Sequence, residues 1–303
     1  MNVQGAFNQL FRAGFRKNFL DELMEFEQEY DQFLKTSTMD GPEIMATIMV
    51  GMPRLFEIGD GDPVPYDDPK MGSPVVGVDK TFCLGFGLTR KTVQDDKYGK
   101  ANQSAKWLGH AVNMTKEFRS SAFLDDAFTG TTFKGIDGLK LCSTAHTLIN
   151  SSTTVPNTPT VPVGLSVAGV TALSNLAGQC KDQNGDPMKV MLDTILIGND
   201  ATNIQKCMQI FGSDLEPFTA DNQDNAIKKR YPKIKTVVSH YMASSVNYFM
   251  IDSRLNDAHF VTRMAPLFED SFDFNTKVAL YSVTMRFLVW FVAWWGWYGA
   301  NPS

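Results

Sequence analysis

The sequence predicts an α+β fold, in one large domain or two closely packed ones. Residues 7–34 and 99–128 place apolar side chains three or four positions apart, which is the spacing of an amphipathic helix. Residues 80–88 and the last part of the chain instead alternate apolar and polar side chains, which is typical of strands. The chain has 303 residues, of which 43% are hydrophobic, so it can bury a sizeable core.

Composition excludes several classes of protein. A net charge of −5 with this apolar content argues against disorder, and the lack of a basic stripe argues against a protein that reads nucleic-acid sequence. The first eleven residues lack the apolar core of a signal peptide, so we expect reduced thiols in a cytoplasmic setting. The four cysteines show no short pairing: Cys83, Cys142, Cys180 and Cys207.

The first predicted helix carries one apolar stripe. Its members are Phe7, Phe11, Phe15, Phe19, Leu23, Phe26, Tyr30 and Phe33. Basic residues lie near its start and acidic residues follow, against the helix dipole, so packing must hold the helix. Two interpretations stay open. The stripe covers the chain's own core, or it is an arm that packs on a neighbouring subunit, with Phe11, Phe15 and Phe19 as contacts.

A long extension is predicted next. Residues 53–59 and 80–88 have strand patterns, and twelve of the twenty residues from Asp60 to Asp79 are Gly, Pro or Asp. That segment is too long for a tight turn, and an isolated hairpin is marginal in water, so we expect it to lie on a partner chain. The predicted contacts are Asp60, Asp62, Tyr66, Asp67, Asp68 and Lys70. The calcium-binding loop suggested by residues 60–62 lacks its later ligands.

Helices and strands alternate through the middle of the chain. Asp95 and Asp96 precede the helix of residues 99–128, where carboxylates favour a helix start, and Gly109 costs up to ~1 kcal/mol within it. After a Ser-, Thr- and Pro-rich loop at 150–164, Ser166 is predicted to cap one helix. The remaining predictions are a strand at 190–197, a helix capped by Asn199 or Asp200, and strands at 234–238 and 248–251.

The last segment combines a strand pattern with an aromatic run. Residues 277–297 alternate apolar and polar side chains at first, and residues 287–298 are rich in Trp, Phe and Val. The aromatic run is twelve residues long, against about 20 for a membrane-spanning helix. We therefore predict a buried or interfacial strand and no membrane contact.

No complete catalytic, cofactor or metal motif is present in the sequence. A phosphate-binding loop and a Gly-x-Ser-x-Gly elbow are both missing. Cys142 and His146 are four residues apart, but no second pair completes a tetrahedral metal site. Ser143 and His146 could act as nucleophile and base only with a third group and an oxyanion site. We therefore predict no catalytic, cofactor-binding or metal-binding residue.

One ordered string of motifs carries a family resemblance. It starts with Phe82, Leu84, Phe86 and Leu88, continues through Thr89-Arg90-Lys91 and Asp95-Asp96-Lys97-Tyr98-Gly99, and ends at Gly138 to His146. The end of the chain, Trp294-Trp295-Gly296-Trp297-Tyr298-Gly299, belongs to the same pattern. This order resembles the major capsid proteins of tailed bacteriophages, which have the Hong Kong 97-type fold, and most closely the Mu-type head subunit.

The resemblance implies a division of the chain. It would comprise an N-terminal arm (1–49), an extended loop called the E-loop (50–93), a peripheral domain with a long spine helix (94–137), an axial domain (138–265) and returning strands (266–303). No long scaffolding segment precedes the arm. The resemblance therefore implies either a separate scaffolding protein or a chain that is already mature.

The resemblance also implies a structural role rather than an enzymatic one. Such a protein assembles in the host cytoplasm as pentamers and hexamers into the shell of a virion. It encloses double-stranded DNA without sequence-specific binding, and its other partners are scaffolding, portal and decoration proteins. Two alternatives stay open: the shell of a cellular, encapsulin-like nanocompartment, and a soluble α/β hydrolase using Ser143 and His146.

Overall fold

The computed structural model describes residues 3–89, 91–92, 99–217, 223–273, 275–276 and 278–302, without the side chains of 3–13 and 101. The helices are α1 (Val3–Glu25), α2 (Lys100–Asp126), α3 (Val167–Gly178), α4 (Ala201–Gly212) and α5 (Ala226–Arg230), with a 3-10 turn at Tyr30–Gln32. The first strands are β1 (Lys35–Thr38), β2 (Glu43–Ala46), β3 (Met49–Val50), β4 (Lys70–Met71), β5 (Val75–Val78) and β6 (Lys80–Thr89). The later strands are β7 (His146–Thr147), β8 (Thr154–Val155), β9 (Thr194–Gly198), β10 (Lys235–Ser239), β11 (Tyr248–Ile251), β12 (Ala258–Asp273), β13 (Val278–Phe291) and β14 (Trp297–Ala300).

The larger sheet has the strand order β1-β12-β13-β6. β12 and β13 form a long antiparallel pair with register shifts around Met264, β6 pairs antiparallel with β13, and β1 pairs parallel with β12. The alternation predicted near the end of the chain is observed, because Tyr281, Val283, Met285 and Phe287 are all buried. β12 runs without a break through residues 265 and 266.

Helices α1 and α2 cover this sheet. Phe15 of α1 meets Tyr281 edge-on with 5.1 Å between the ring centroids, and Phe19 lies 5.3 Å from Phe268. A Cβ atom at Gly109 of α2 would lie 2.8 Å from the carbonyl oxygen of Phe19. The glycine that lowers helix propensity therefore permits the close approach of the two helices, and the packing compensates its cost.

The smaller sheet has the order β10-β9-β11-β14 and packs with α3, α4 and α5. Two predicted caps are confirmed. The hydroxyl of Ser166 accepts a hydrogen bond from the Gly169 backbone N–H, and the carboxylate of Asp200 accepts one from the Asn203 N–H. All five residues of β9 and all four of β11 are buried, as expected for strands covered on both faces.

The aromatic end of the chain lies inside the protein. Trp294, Trp297 and Tyr298 are fully buried, and β14 pairs with β11 at the edge of the smaller sheet. This confirms the prediction of a buried strand for part of the run, because β13 ends at Phe291 and β14 begins at Trp297. Of the helices that the structure describes, none has the length and apolar character that crossing a membrane requires.

Two predicted elements differ from the structure. The first helix ends at Glu25 rather than near residue 34, because the Glu29 backbone N–H donates to the Glu117 side chain at 2.7 Å instead of continuing the helix. Residues 53–59 form no strand. β6 pairs with β13, where Phe82 stacks on Phe287 at 4.6 Å, and this contact buries apolar surface that pairing with 53–59 would leave in water. Asp95 and Asp96 lie outside the described residues.

Candidate assembly surfaces

Residues 43–78 form a two-stranded extension. β2 pairs antiparallel with β5 and β3 with β4, and the loop of residues 51–69 joins them without strand structure. The extension exposes many large apolar side chains: Met45, Met49, Met52, Leu55, Phe56, Ile58, Val64, Tyr66, Met71, Val76 and Val78. Leu55 and Tyr66 are 100% and 93% exposed. Exposed apolar surface on this scale is typical of an interaction site.

The six residues of this segment that the sequence predicted as contacts are accessible in the structure. Asp60, Asp62, Tyr66, Asp67, Asp68 and Lys70 are all exposed. The carboxylate of Asp62 accepts a hydrogen bond from the Gly59 N–H at 2.9 Å and closes a turn at the tip. Within the described residues, Asp60, Asp67 and Asp68 form no ion pair, so their charges face solvent. The tip is therefore acidic and unpaired in the isolated subunit.

A buried carboxylate anchors the base of the extension. The side chain of Asp79, between β5 and β6, is 2% exposed and lies 3.0 Å from the Arg263 guanidinium and 2.8 Å from that of Arg286. Gly77 lies against Leu288 and Trp290, where a Cβ atom would come within 2.5 Å of the leucine. This anchor was not predicted from the sequence. Its signal was an acidic residue directly before one strand of a sheet in which two other strands carry arginines.

The loop also has one contact with the second half of the chain. The Arg54 guanidinium lies 2.6 Å from the Asp186 carboxylate, and the Asn184 side-chain amide donates to the Gly51 carbonyl at 2.9 Å. Both partners belong to the turn that the sequence predicted around Asn184. The start of the loop is thus held against this turn, whereas residues 55–68 extend beyond it.

The predicted contacts of the first helix have a different environment. Phe15 and Phe19 are 1% and 0% exposed and pack on the chain's own sheet. This is the first of the two interpretations, a helix that covers its own core, and neither ring is available to a neighbouring subunit in this arrangement. The side chain of Phe11 lies outside the described residues.

His146 lies in a closed network rather than a catalytic site. Its Nδ1 is 2.5 Å from the Asp137 carboxylate, its Nε2 is 3.1 Å from Oδ1 of Asn157, and its ring stacks on Trp294 at 4.2 Å. Both ring nitrogens are therefore engaged, and the Ser143 hydroxyl instead accepts from the Ala145 N–H. A nucleophile and base pair is not assembled here.

Cys142 lies beside this network in a fully buried position. Burial raises the pKa of its thiol, which makes it unreactive and a poor metal ligand. Among the described residues, no three His, Cys, Asp or Glu side chains are grouped so that they could hold a metal ion. The spacing of Cys142 and His146 was visible in the sequence, whereas the partners of the histidine, Asp137 and Asn157, were not predicted because they are nine and eleven residues from it.

Sequence comparison alone finds no relative, because no family model and no curated protein matches the chain. Structure comparison does. A chain of the procapsid of bacteriophage JBD30 superposes with a TM-score of 0.54 at 16% identity, covering 98% of this chain and 76% of that one. The capsid of a native GTA particle gives 0.58 at 7% identity, covering 89% and 88%. This chain has the Hong Kong 97-type capsid fold.

The capsid fold extends over nearly the whole chain. A virus-like particle from Pyrococcus furiosus also superposes, with a TM-score of 0.52 at 9% identity, covering 95% of this chain and 98% of that one. The neighbours are structural proteins of shells. In this capsid fold the extension is the described feature with the largest set of exposed apolar side chains.

Proposed function

We propose that this chain is the major head protein of a Mu-like tailed phage. It self-assembles as pentamers and hexamers into an icosahedral shell that encloses double-stranded DNA. The observation that carries the proposal is the exposed extension on a chain that has the capsid fold along nearly its whole length. A subunit built to work alone would leave this apolar surface in water at a cost in free energy, whereas a shell covers it.

The parts of the chain take roles in this proposal. The extension, with β2 to β5, is the E-loop that reaches a neighbouring subunit, and α2 is the spine helix of the peripheral domain. The smaller sheet with α3 to α5 forms the axial domain. The segment before the extension is the arm, although the described part of its helix packs on its own subunit.

Partners follow from the same proposal. The shell is a homo-oligomer of the virion, assembled in the host cytoplasm with separate scaffolding, portal and decoration proteins. It needs no cofactor and performs no catalysis, and the engaged ring nitrogens of His146 support this view. The net charge of −5 suits a wall that encloses DNA, because 33 acidic residues outnumber 28 basic ones and the chain as a whole gains little from displacing the counterions of the phosphates.

Microscopy of the purified protein tests the proposal. We expect negative-stain images and light scattering to show closed shells with five- and six-membered rings, after the protein is expressed alone or with its scaffolding protein. A protein that remains monomeric or dimeric under every salt and scaffold condition would exclude a capsid function.

A second candidate is the shell of a cellular nanocompartment. It is favoured by the similarity to the Pyrococcus furiosus particle, which covers 95% of this chain. The two candidates differ in their contents. The test is to express the chain with the products of the adjacent genes and to analyse the purified shells. If the shell is a nanocompartment, it should contain a stoichiometric cargo enzyme with a docking tail. If it is a phage head, it should contain no such protein.

A further inference from the structure

Basic residues of the chain are concentrated in two segments. Residues 1–20 and 97–116 contain no carboxylate, although the chain has 33 acidic and 28 basic residues in all. The two segments contain seven basic residues: Arg12, Arg16, Lys17, Lys97, Lys100, Lys106 and Lys116. The net negative charge of the protein therefore belongs entirely to the rest of the chain, and these segments are locally basic.

The fold brings the two segments side by side. The side-chain amide of Asn18 donates to that of Asn102 at 3.1 Å, and the Asn113 side chain donates to the Leu23 carbonyl at 3.1 Å. Because both residue numbers increase from the first contact to the second, α1 and α2 run in the same direction and start at the same end. The cations exposed at this end are Arg16, Lys17, Lys100 and Lys106. The side chains of Arg12 and Lys97 lie outside the described residues.

Neither helix stability nor pairing within the chain accounts for these cations. The first turns of α1 and α2 contain no acidic residue and their last turns no basic one, and Lys100 is the first residue of α2. This order opposes the helix dipole, which favours carboxylates at the start of a helix. Among the described residues, Arg16, Lys17 and Lys106 form no ion pair with a carboxylate. Their charges are therefore available to an external anion.

An exposed aromatic side chain lies among polar donors on one face of α2. Lys100, Gln103 and Trp107 are spaced by three and four residues, which places them in one row along the helix, and all three are exposed. The indole of Trp107 is 65% exposed. Lysines and amides donate hydrogen bonds to phosphate oxygens, and an indole offers an apolar surface to the sugars between them. This row therefore suits a polymer of phosphates and sugars.

The lack of carboxylates in the two segments favours a nucleic acid over a protein as the partner. A protein surface presents both signs of charge, and its cations would meet only cations here, which is unfavourable across an interface. Double-stranded DNA presents only negative charge, about one per 1.7 Å of its axis. The exposed cations are too sparse for the basic stripe of a protein that reads base sequence, so we expect contact with the backbone alone.

We propose that the exposed face at the shared start of α1 and α2 binds the phosphate backbone of double-stranded DNA, irrespective of base sequence. The inference rests on the proposed shell function, because DNA is the polyanion that such a shell encloses. Lys17, Lys100 and Lys106 neutralise phosphates, and Gln103 and Trp107 contact the backbone between them. Each subunit holds DNA weakly, and the many subunits of a shell act together on the same molecule.

Binding of a fluorescent DNA duplex by the purified subunit, followed by anisotropy, tests the charges. Lys17→Gln with Lys106→Gln is expected to weaken binding at low salt by about tenfold, and to reduce the slope of log affinity against log salt by about 2, because two phosphate contacts are lost. Duplexes of unrelated sequence should bind alike. Lys233→Gln with Lys235→Gln is the matched control, which removes the same charge from exposed lysines at the start of β10 and should leave affinity and slope unchanged. A wild-type subunit that does not bind the duplex, or a Lys17 and Lys106 variant that binds it like wild type, would overturn the inference.

Polyglutamate as a second probe separates DNA from an acidic protein partner. The wild-type subunit is expected to bind the duplex more tightly than polyglutamate of the same charge, and Trp107→Ala is expected to weaken duplex binding without changing the salt slope. Polyglutamate that binds as tightly as the duplex would show an acidic protein as the partner and overturn the inference. Because binding is measured on subunits, a subunit that binds the duplex but never forms shells overturns the proposed function and leaves this surface standing.

Discussion

At the scale of single residues, the side chains of Glu117 and Glu29 join three parts of the chain. Glu117 of α2 is 2% exposed and accepts the Glu29 N–H, and the Glu29 carboxylate accepts from the backbone N–H and Nδ1 of His240. Burial raises the pKa of Glu117 to about 7, the Glu29 and Tyr30 N–H groups oppose this shift, and the charges of Glu29 and Asp31 add to it. The folded chain therefore favours the protonated form of Glu117.

The raised pKa of Glu117 predicts a pH dependence of stability. Its pKa is about 7 in the folded chain and about 4.5 in the unfolded chain, so its contribution is fully present below pH 4.5 and is lost as the pH rises through 7. Glu117→Gln keeps the hydrogen bond to Glu29 and removes the charge. We expect this variant to be more stable than wild type by about 1–2 kcal/mol at pH 8, with little difference at pH 5.

Urea unfolding of the monomer at both pH values measures this effect. Glu25→Gln, which removes an exposed carboxylate at the end of α1, is the control and should leave the pH dependence as in wild type. A Glu117→Gln variant with the same stability difference from wild type at pH 5 and pH 8 would contradict the assignment.

The network around His146 predicts a role in stability alone. His146→Ala leaves the buried Asp137 carboxylate without its partner and removes the ring that stacks on Trp294, so we expect the free energy of unfolding to fall by about 3–5 kcal/mol. His110→Ala, at a half-exposed histidine, should cost less than about 1 kcal/mol. Denaturant unfolding compares the two variants. If the wild-type protein contained a stoichiometric metal ion and the His146→Ala variant did not, His146 would be a metal ligand rather than a purely structural residue.

At the scale of elements, the extension has a rigid base and an exposed tip. Asp79 holds the β5–β6 junction between two arginines, and Met39, Val261 and Trp290 form a small core against the start of the hairpin. No comparable core lies under residues 55–68 among the described residues. The base of the extension is therefore held in a fixed position on the sheet. A fixed base suits the proposed shell, in which every subunit has to make the same contact.

Removal of the anchor should loosen this base. Asp79→Ala leaves two arginines close together without their shared carboxylate, and we expect β2 and β5 to exchange amide hydrogens at least about tenfold faster. β9 and β11 should exchange as in wild type. Asp68→Ala, which removes a solvent-facing carboxylate of the loop, is the control. Hydrogen exchange followed by mass spectrometry measures both, and unchanged protection of β2 and β5 would exclude the anchoring role.

Elements differ in how well the sequence predicts them. The caps at Ser166 and Asp200 and the helix of residues 99–128 depend on neighbours in the sequence, and the structure confirms all three. Pairing of β6 with β13 joins residues about two hundred positions apart, and apolar alternation does not identify such a partner. Residues 53–59 show why the pattern alone is insufficient. They have the spacing of a strand, but no partner strand for them lies among the residues that the structure describes.

The candidate surfaces also differ in whether their residues are neighbours in the sequence. The acidic tip is a run of neighbouring residues, so the sequence predicted it and the structure exposes it. A cleft of about 570 Å³ at the base of the extension gathers residues from positions 75 to 291, and it forms only when β5, α2, β13 and the segment after α2 meet. The fold class was available through the family resemblance, and the order of parts stays a prediction from it, whereas the anchor at Asp79 and the network at His146 required three-dimensional structure.

At the scale of the whole molecule, folding and assembly should separate. Replacement of residues 55–68 by a four-residue Gly-Ser turn keeps β2 to β5, the Asp79 anchor and the Arg54–Asp186 contact. We expect the stability of the monomer to change by less than about 1 kcal/mol, because the loop has little packing and its shortening reduces the entropy of closure only slightly. Stable shells should not form. Thermal unfolding and electron microscopy measure the two properties, and shells as robust as wild type would exclude an intersubunit role for the tip.

The larger sheet has a consequence for the time course of synthesis. Its strands β1 and β6 end by Thr89, but their partners β12 and β13 begin only at Ala258. A ribosome adds about 5–20 residues per second, so β6 waits roughly 10–40 s for β13, the strand beside it. During that interval its unpaired edge is open to other chains, and a chaperone that binds exposed strands would protect it. The order in which the strands are translated should therefore make the yield of folded protein depend on the cell's folding machinery.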